Sequence, residues 1–231
     1  MKIKTPHFIL AGLLGTALAS QAAIIEDANA QRINDWAGVG GITGTGDSIA
    51  NNALFAGDTN GNSYASVYVF QMTGFTSGAQ ITAADFSISK TGGSGDANIA
   101  VDVLRTASAD TVLEADYQAP TVASLDTNFG DGVNANYSLG TVGEGTFTTY
   151  LQNNWVENNY IFIRLGADSI PQDGTELTST YYQFGSSQGG WSASSTDAQL
   201  TVSTVVPEPS SAALLGGLLA LSAVMLRRRA A

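Results

Sequence analysis

The chain contains no cysteine, and its only histidine, His7, lies in a leader-like segment at the N-terminus. Without these residue types the body of the chain cannot assemble a Ser-His-Asp or Cys-His catalytic pair, nor the usual zinc sites. Disulfides are excluded as well, so burial of apolar side chains must hold the fold without covalent cross-links. The 231 residues suit one domain of about 150 to 200 residues, which is large enough for a hydrophobic core.

Basic side chains are scarce in the body of the chain. Between positions 24 and 206 there are nineteen acidic residues and four basic ones, Arg32, Lys90, Arg105 and Arg164, a difference of −15. Nucleic-acid binding requires clustered lysine and arginine, so we exclude it. The acidic surplus favours solubility in an exposed compartment, with calcium binding as the alternative interpretation.

The first 23 residues have the three parts of a secretory signal peptide. Two lysines precede an apolar stretch from Phe8 to Ala19, and small residues stand at Ser20 and Ala22. This pattern predicts export by the Sec translocon and cleavage by signal peptidase after Ala22 or Ala23. An uncleaved membrane anchor is the alternative, but the apolar stretch is shorter than the roughly 20 residues that span a bilayer.

Residues 205–231 also have three parts: a Pro-Glu-Pro motif, an apolar run from Ala212 to Leu226, and an arginine cluster. The motif and the cluster consist of Pro207, Glu208, Pro209, Arg227, Arg228 and Arg229. The run is marginal for crossing a bilayer, and the arginines favour a cytoplasmic position for that end.

This tail resembles the PEP-CTERM sorting signal of Gram-negative bacteria. The resemblance implies transient anchoring in the inner membrane and recognition of Pro207, Glu208 and Pro209 by exosortase, a membrane protease-transpeptidase. It also implies a cell-surface or extracellular destination in bacteria that make exopolysaccharide. An ordinary tail anchor that is never processed is the alternative.

Residues 24–204 form a single predicted domain of short strands separated by turns rich in glycine, serine and asparagine. Alternating or β-branched runs predict strands at Tyr64–Met72, Ile81–Lys90, Asn98–Arg105, Tyr160–Leu165 and Gln199–Val205. Helical periodicity is confined to 110–117 and 148–157. We therefore predict an all-β fold, a two-sheet antiparallel sandwich of jelly-roll type with one or two short helices, and helical hydrophobic segments at both termini.

The order of these segments is similar to that in the DNRLRE-type domain of secreted bacterial proteins. The similar features are the strand pair SYASVYVFQM and ITAADFSISK, then IAVDVLR, a short helix near LQNNW, the strand YIFIRL and a closing QLTVSTV. Many such domains carry an acidic residue and an arginine on the first central strand, where this chain has Val69-Phe70-Gln71. The resemblance implies a jelly roll with the character of a carbohydrate-binding module and a polysaccharide ligand.

Carbohydrate recognition combines aromatic rings, on which the C–H face of a sugar stacks, with hydrogen-bonding groups for its hydroxyls. Trp36, Tyr181, Tyr182 and Trp191 are the candidates because they lie beside turns rich in glycine and serine. Trp191, between glycines and serines, is the first choice. Packing in the core or at a sheet edge is the alternative for each ring.

Asp58, Asn60 and Asn62 place oxygen ligands at alternate positions, as at the start of a calcium loop. The EF-hand pattern would require Gly at the sixth place and Glu at the twelfth, where this chain has Ser63 and Val69. The segment is therefore interpreted as a turn, with a structural calcium site as the alternative.

The sequence contains no convincing catalytic motif. Residues 185–189 match the nucleophile elbow of α/β-hydrolases, but that elbow needs a histidine partner. Pairs of carboxylates are inevitable among nineteen acids and therefore carry no information. We predict that the protein is not an enzyme and requires no cofactor.

The predicted function is polysaccharide binding without catalysis by an exported, exosortase-processed protein of the cell surface or extracellular matrix, with exopolysaccharide as its partner. A structural or adhesive biofilm matrix protein without a sugar pocket is the main alternative. A glycosidase or lyase that uses two carboxylates is the other alternative.

Overall fold

The structure is a computed structural model, and it describes part of the chain. The described residues are 18–36, 48–50, 54–59, 62–75, 79–94, 99–129, 136–167, 180–185 and 198–207, and in the C-terminal tail 216–219, 221, 222, 225 and 227.

Up to Pro207, the described residues form eleven strands, one α-helix and one short 3₁₀ helix. The strands are β1 (Leu18–Trp36), β2 (Ser48–Ala50), β3 (Leu54–Thr59), β4 (Asn62–Gln71), β5 (Gln80–Ser94), β6 (Ile99–Ala107), β7 (Ala123–Phe129), β8 (Asn136–Ser138), β9 (Tyr160–Ala167), β10 (Tyr181–Phe184) and β11 (Gln199–Pro207). The helix is α1 (Thr141–Asn154), and the 3₁₀ helix covers Glu114–Tyr117.

Six strands close a ring in the order β1, β11, β5, β10, β3 and β4, and β4 pairs again with β1. Strands β9, β6 and β7 continue outward from β4, while β2 pairs with β1 and β8 with β5. All of these pairings are antiparallel. The prediction of an antiparallel all-β fold with one or two short helices is confirmed.

The closed ring differs from the predicted pair of separate sheets because two strands are long enough to change neighbours. Residues 18–26 of β1 pair with β11 and residues 27–36 with β4, and a bulge lies near the change. Strand β5 pairs with β11 through residues 80–87 and with β10 through residues 90–94. Strand β1 thus joins β11 to β4, and β5 joins β11 to β10. These two connections close a six-stranded barrel.

Strand β4 is buried on both faces along most of its length. Tyr68 and Phe70 belong to the main hydrophobic core, which also takes residues from the ring strands, β6, β9 and α1. Val67 and Val69 point to the other face and belong to a second, smaller core. The second core is completed by Val112 and Tyr117 from the segment that links β6 to β7, so this link covers the sheet.

Helix α1 packs through one face. Gly143, Phe147 and Leu151, spaced four residues apart, are buried, and the latter two belong to the main core. The helix is tied to β5 by two polar contacts: the Ala84 amide donates to Thr148 Oγ1 at 2.9 Å, and Gln152 Nε2 donates to the Ile81 carbonyl at 2.8 Å.

The first and the last described strands pair with each other in the ring. Residues 18–23, predicted as the end of the signal peptide, are part of β1 and pair with residues 202–207 of β11. The predicted apolar helix at the N-terminus is therefore wrong for Leu18 and Ala19, because pairing with β11 holds them extended; residues 1–17 lie outside the described part.

At the C-terminus the described residues from Gly216 to Arg227 are helical. Among the described residues, no helix is both long enough and apolar enough to cross a membrane.

Candidate functional site

One rim of the barrel brings together candidates that are far apart in sequence. There β1 ends at Trp36, β4 begins at Asn62 and β10 begins at Tyr181, and the backbone of Trp36 pairs with that of Asn62. Tyr181 pairs with Gly57 of β3 on one side and with Ser94 of β5 on the other. Predicted aromatic candidates and a predicted metal ligand therefore share this rim.

Glycine permits the close approach of β10 at this rim. Gly57 has φ of +105°, and a Cβ on it would lie 2.4 Å from the Thr180 carbonyl oxygen. Gly93 has φ of +147°, and its Cβ would lie 2.5 Å from the Tyr181 carbonyl oxygen. Side chains at these two positions would push the start of β10 away.

Four partly exposed side chains from four adjacent strands form a cluster at the rim, which we call the rim cluster: Arg32, Phe55, Tyr64 and Tyr181. The Phe55 ring packs edge-to-face against Tyr64 and Tyr181, with centroid distances of 5.6 and 5.4 Å. The Arg32 guanidinium lies 4.9 Å from the Phe55 centroid and 5.1 Å from that of Tyr64. Partial burial lowers the pKa of Arg32, although the Tyr64 oxygen acts in the opposite direction. The result is a preformed aromatic surface with a cation inside it.

The adjacent tyrosines predicted as ligands point to opposite sides of β10. Tyr181 is partly exposed in the rim cluster, whereas Tyr182 is 1% exposed and belongs to the main core. The Lys90 ammonium lies 3.6 Å from the centre of the Tyr182 ring. Only Tyr181 of this pair could meet a ligand at the surface.

The tryptophan candidates are less completely described. Trp36 is placed by its backbone at the end of β1. Trp191, the first choice from the sequence, lies outside the described residues.

Two of the three candidate metal ligands, Asp58 and Asn62, lie on the paired strands β3 and β4. Asp58 pairs with Ser63 through the backbone, and Thr59 pairs with Asn62; Asn60 lies outside the described residues. The Asn62 amide donates to the Tyr64 hydroxyl at 3.4 Å. Among the described residues no three acidic or histidine side chains are grouped as a metal site would need.

The sorting residues lie at and beyond the end of the fold. Pro207 is the last residue of β11, and Arg227 is an exposed helical residue. Glu208, Pro209, Arg228 and Arg229 lie outside the described residues.

The elbow-like segment begins in the core. Gly185 follows β10, is buried, and its carbonyl accepts a hydrogen bond of 3.1 Å from the Tyr68 hydroxyl. Burial raises the pKa of Tyr68 well above its ordinary value, and the nearby Asp27 raises it further. Gly185 therefore has a structural role, while residues 186–189 lie outside the described part.

A second concave surface, which we call the α1 groove, lies at the opposite end of β5 and β6 from the rim cluster. It is an open groove of about 620 Å³ between α1 and the start of β7. Its lining consists of Val122, Ala123, Thr141, Val142, Gly145, Thr146, Thr149, Tyr150, Asn153 and Asn154. None of the described residues that line it is acidic or basic.

The α1 groove was missed by sequence reasoning, although a signal for it exists. Val142, Thr146, Thr149, Tyr150 and Asn153 recur at helical spacing on a face separate from the buried one. This stripe is visible once the helix is known to begin at Thr141. The predicted helix began at Thr148, so the first two turns were not assigned.

A scan against protein-family models finds no match for the chain, and a search of curated proteins finds none. The resemblances to the PEP-CTERM signal and to the DNRLRE-type domain therefore stay predictions.

Proposed function

We propose that the protein is exported, processed by exosortase at its Pro207-Glu208-Pro209 motif, and binds polysaccharide without catalysis at the cell surface or in the extracellular matrix. We place the polysaccharide at the barrel rim. The finer jelly-roll assignment belongs to the same proposal, since the long strands β1 and β5 could join two sheets of a sandwich.

The observation that carries the proposal is the rim cluster. Three rings from β3, β4 and β10 are held by edge-to-face contacts, so little conformational entropy is lost when a ligand meets them. Aromatic rings supply the apolar surface that a sugar ring stacks on, and the Asn62 amide at the same rim supplies hydrogen-bonding atoms. Strand β1 also ends at this rim, with Trp36 as its last residue.

The proposal is tested by isothermal calorimetry of the full chain against a panel of bacterial and plant polysaccharides, with and without calcium. Replacing Tyr181 by alanine should weaken binding about tenfold, because one stacked ring contributes up to about 1.5 kcal/mol.

Tyr137→Ala is the matched control. Tyr137 is also a partly exposed strand residue whose ring packs against a phenylalanine, Phe129, at 5.7 Å, but it does not belong to the rim cluster. If both variants lose the same amount of affinity, or if Tyr181→Ala binds as tightly as the parent chain, the rim is not the binding site. An absence of binding to every glycan would favour the matrix-scaffold alternative.

A specific observation favours that alternative as the second candidate. The body has a charge difference of −15 between positions 24 and 206, which suits a hydrated matrix component that associates through calcium bridges. A scaffold of this kind should change its oligomeric state on addition of calcium in light scattering, whereas a sugar-binding module should not.

A further inference from the structure

The aromatic ring in the α1 groove is held in place by the fold itself. Tyr150, which lines the groove, is partly buried and packs against the main core, and the Thr106 side chain of β6 forms a hydrogen bond to its hydroxyl. Burial raises the pKa of Tyr150, and this hydrogen bond lowers it in part. The ring is therefore fixed by contacts of the fold, before any ligand is present.

Most polar side-chain atoms of the α1 groove can accept a hydrogen bond from a ligand, and a few can donate one. The hydroxyls of Thr146 and Thr149 donate to the Val142 and Gly145 carbonyls at 3.0 and 2.9 Å. Their oxygen lone pairs remain able to accept. Asn153 donates one amide hydrogen to the Thr149 carbonyl at 2.8 Å, which leaves its second hydrogen and its oxygen for a ligand.

The walls of the α1 groove are aliphatic. Val142 is 85% exposed and Val122 is 54% exposed, so both present methyl groups to solvent. A surface that joins methyl groups, one aromatic ring and neutral hydrogen-bonding atoms matches a polyol, which has apolar C–H faces and hydroxyls that both donate and accept.

The charge of the protein favours neutral ligands over acidic ones. The four basic residues of the body already have internal partners. Arg164 pairs with Asp102 at 2.9 Å, and Arg105 pairs with Asp116. Lys90 lies over the Tyr182 ring, and Arg32 lies over the rings of the rim cluster. An acidic polymer would therefore meet a strongly negative body whose few cations are already engaged.

We infer that the α1 groove is a second binding site and that it takes an uncharged, hydroxyl-rich chain, a neutral polysaccharide. The inference shares the ligand class of the proposed function but not its site. Because the two surfaces lie at opposite ends of β5 and β6, one molecule could hold two polysaccharide chains.

The inference is tested by amide NMR of the ¹⁵N-labelled full chain, titrated with cellohexaose, mannohexaose and the acidic hexagalacturonate. The oligosaccharides reach about 10 mM, which detects even millimolar dissociation constants. We expect a neutral oligosaccharide to shift amides of residues 141–153, and hexagalacturonate to shift none of them without a divalent cation.

Substitutions in the α1 groove give the second readout. Thr149→Glu places a charge and added bulk in the groove and should weaken neutral binding at least tenfold. The control, Thr127→Glu, adds the same charge at an exposed position of β7 outside the groove and should leave binding unchanged. If Thr149→Glu unfolds α1 by circular dichroism, the isosteric Asn153→Asp replaces it.

The outcomes separate the two proposals. Shifts confined to amides near Tyr64 and Tyr181 would overturn the inference and leave the proposed rim site standing. Shifts confined to amides of the α1 groove would support the inference and overturn the proposed rim site. Binding of hexagalacturonate in the groove without a divalent cation would overturn the ligand class, and an absence of shifts with every oligosaccharide would overturn both.

Discussion

Among single residues, Arg164 shows most clearly how this fold accommodates a buried charge. Its side chain is 8% exposed, and Nη1 donates to the Tyr117 and Ala119 carbonyls at 2.8 and 3.1 Å. Nη2 donates to Asp102 at 2.9 Å and to the Thr121 hydroxyl at 3.2 Å. A buried charge is tolerated when it is paired and hydrogen-bonded in this way. Arg164 thereby holds the β6–β7 link against the second core.

Replacing Arg164 by methionine should lower the free energy of unfolding by about 3 to 5 kcal/mol, because Asp102 would remain in its poorly solvated position without a partner. Urea denaturation measures this change. Combining Arg164→Met with Asp102→Asn should recover part of the loss, since no unpaired charge is left. A single variant as stable as the parent chain would show that Arg164 does not hold the link.

At the scale of elements, α1 shows how closely a helix can approach a sheet when one position has no side chain. Gly143 faces β7, and a Cβ there would lie 2.5 Å from the Leu125 carbonyl oxygen. Gly145, two residues later, faces open space, with no atom within 4 Å of its Cβ position. The two glycines have the same helical backbone but opposite surroundings.

This contrast predicts opposite effects for one substitution. Gly145→Ala should raise the free energy of unfolding by up to about 1 kcal/mol, because alanine is the better helix former. Gly143→Ala should lower it by about 1 to 3 kcal/mol, because the helix must move away from β7. Thermal unfolding of the two variants checks the pair. Stabilisation by both would mean that α1 is not docked against Leu125.

For the whole molecule, the closing of the barrel depends on pairing between the first and the last strands, β1 and β11. Residues 18–26 of β1 supply one neighbour of β11, and β5 supplies the other. Cleavage after Ala22, as predicted for the signal peptide, would remove the β1 partners of residues 203–207. Residues 199–201 would keep Ile24, Ile25 and Glu26 as partners.

Processing should therefore loosen the end of β11 while leaving its beginning intact. We expect the amides of residues 203–206 to exchange hydrogen for deuterium faster in the exported protein than in the unprocessed chain. The amides of Gln199, Leu200 and Thr201 serve as the internal control and should not change. Equal exchange at all of these positions would show that β1 residues 18–22 do not protect β11.

The composition and the local patterns of the chain were enough for several conclusions. The absence of cysteine and, beyond His7, of histidine removed whole classes of chemistry. Alternating or β-branched runs predicted strands at Tyr64–Met72 and Asn98–Arg105, which agree closely with β4 and β6. These properties depend on neighbours within a few positions, which is why a sequence can show them.

The remaining features depended on contacts between distant residues. Alternation separates Tyr181 from Tyr182 but does not say which one faces solvent, since that depends on the strands that flank β10. The partners of Arg164 come from positions 102 and 116–121. The closing of the ring requires β1 to change neighbours midway, and the α1 groove exists only where α1 docks beside β7. Strand pairing and docking are non-local and are decided by total burial and hydrogen bonding, so only the tertiary structure could settle them.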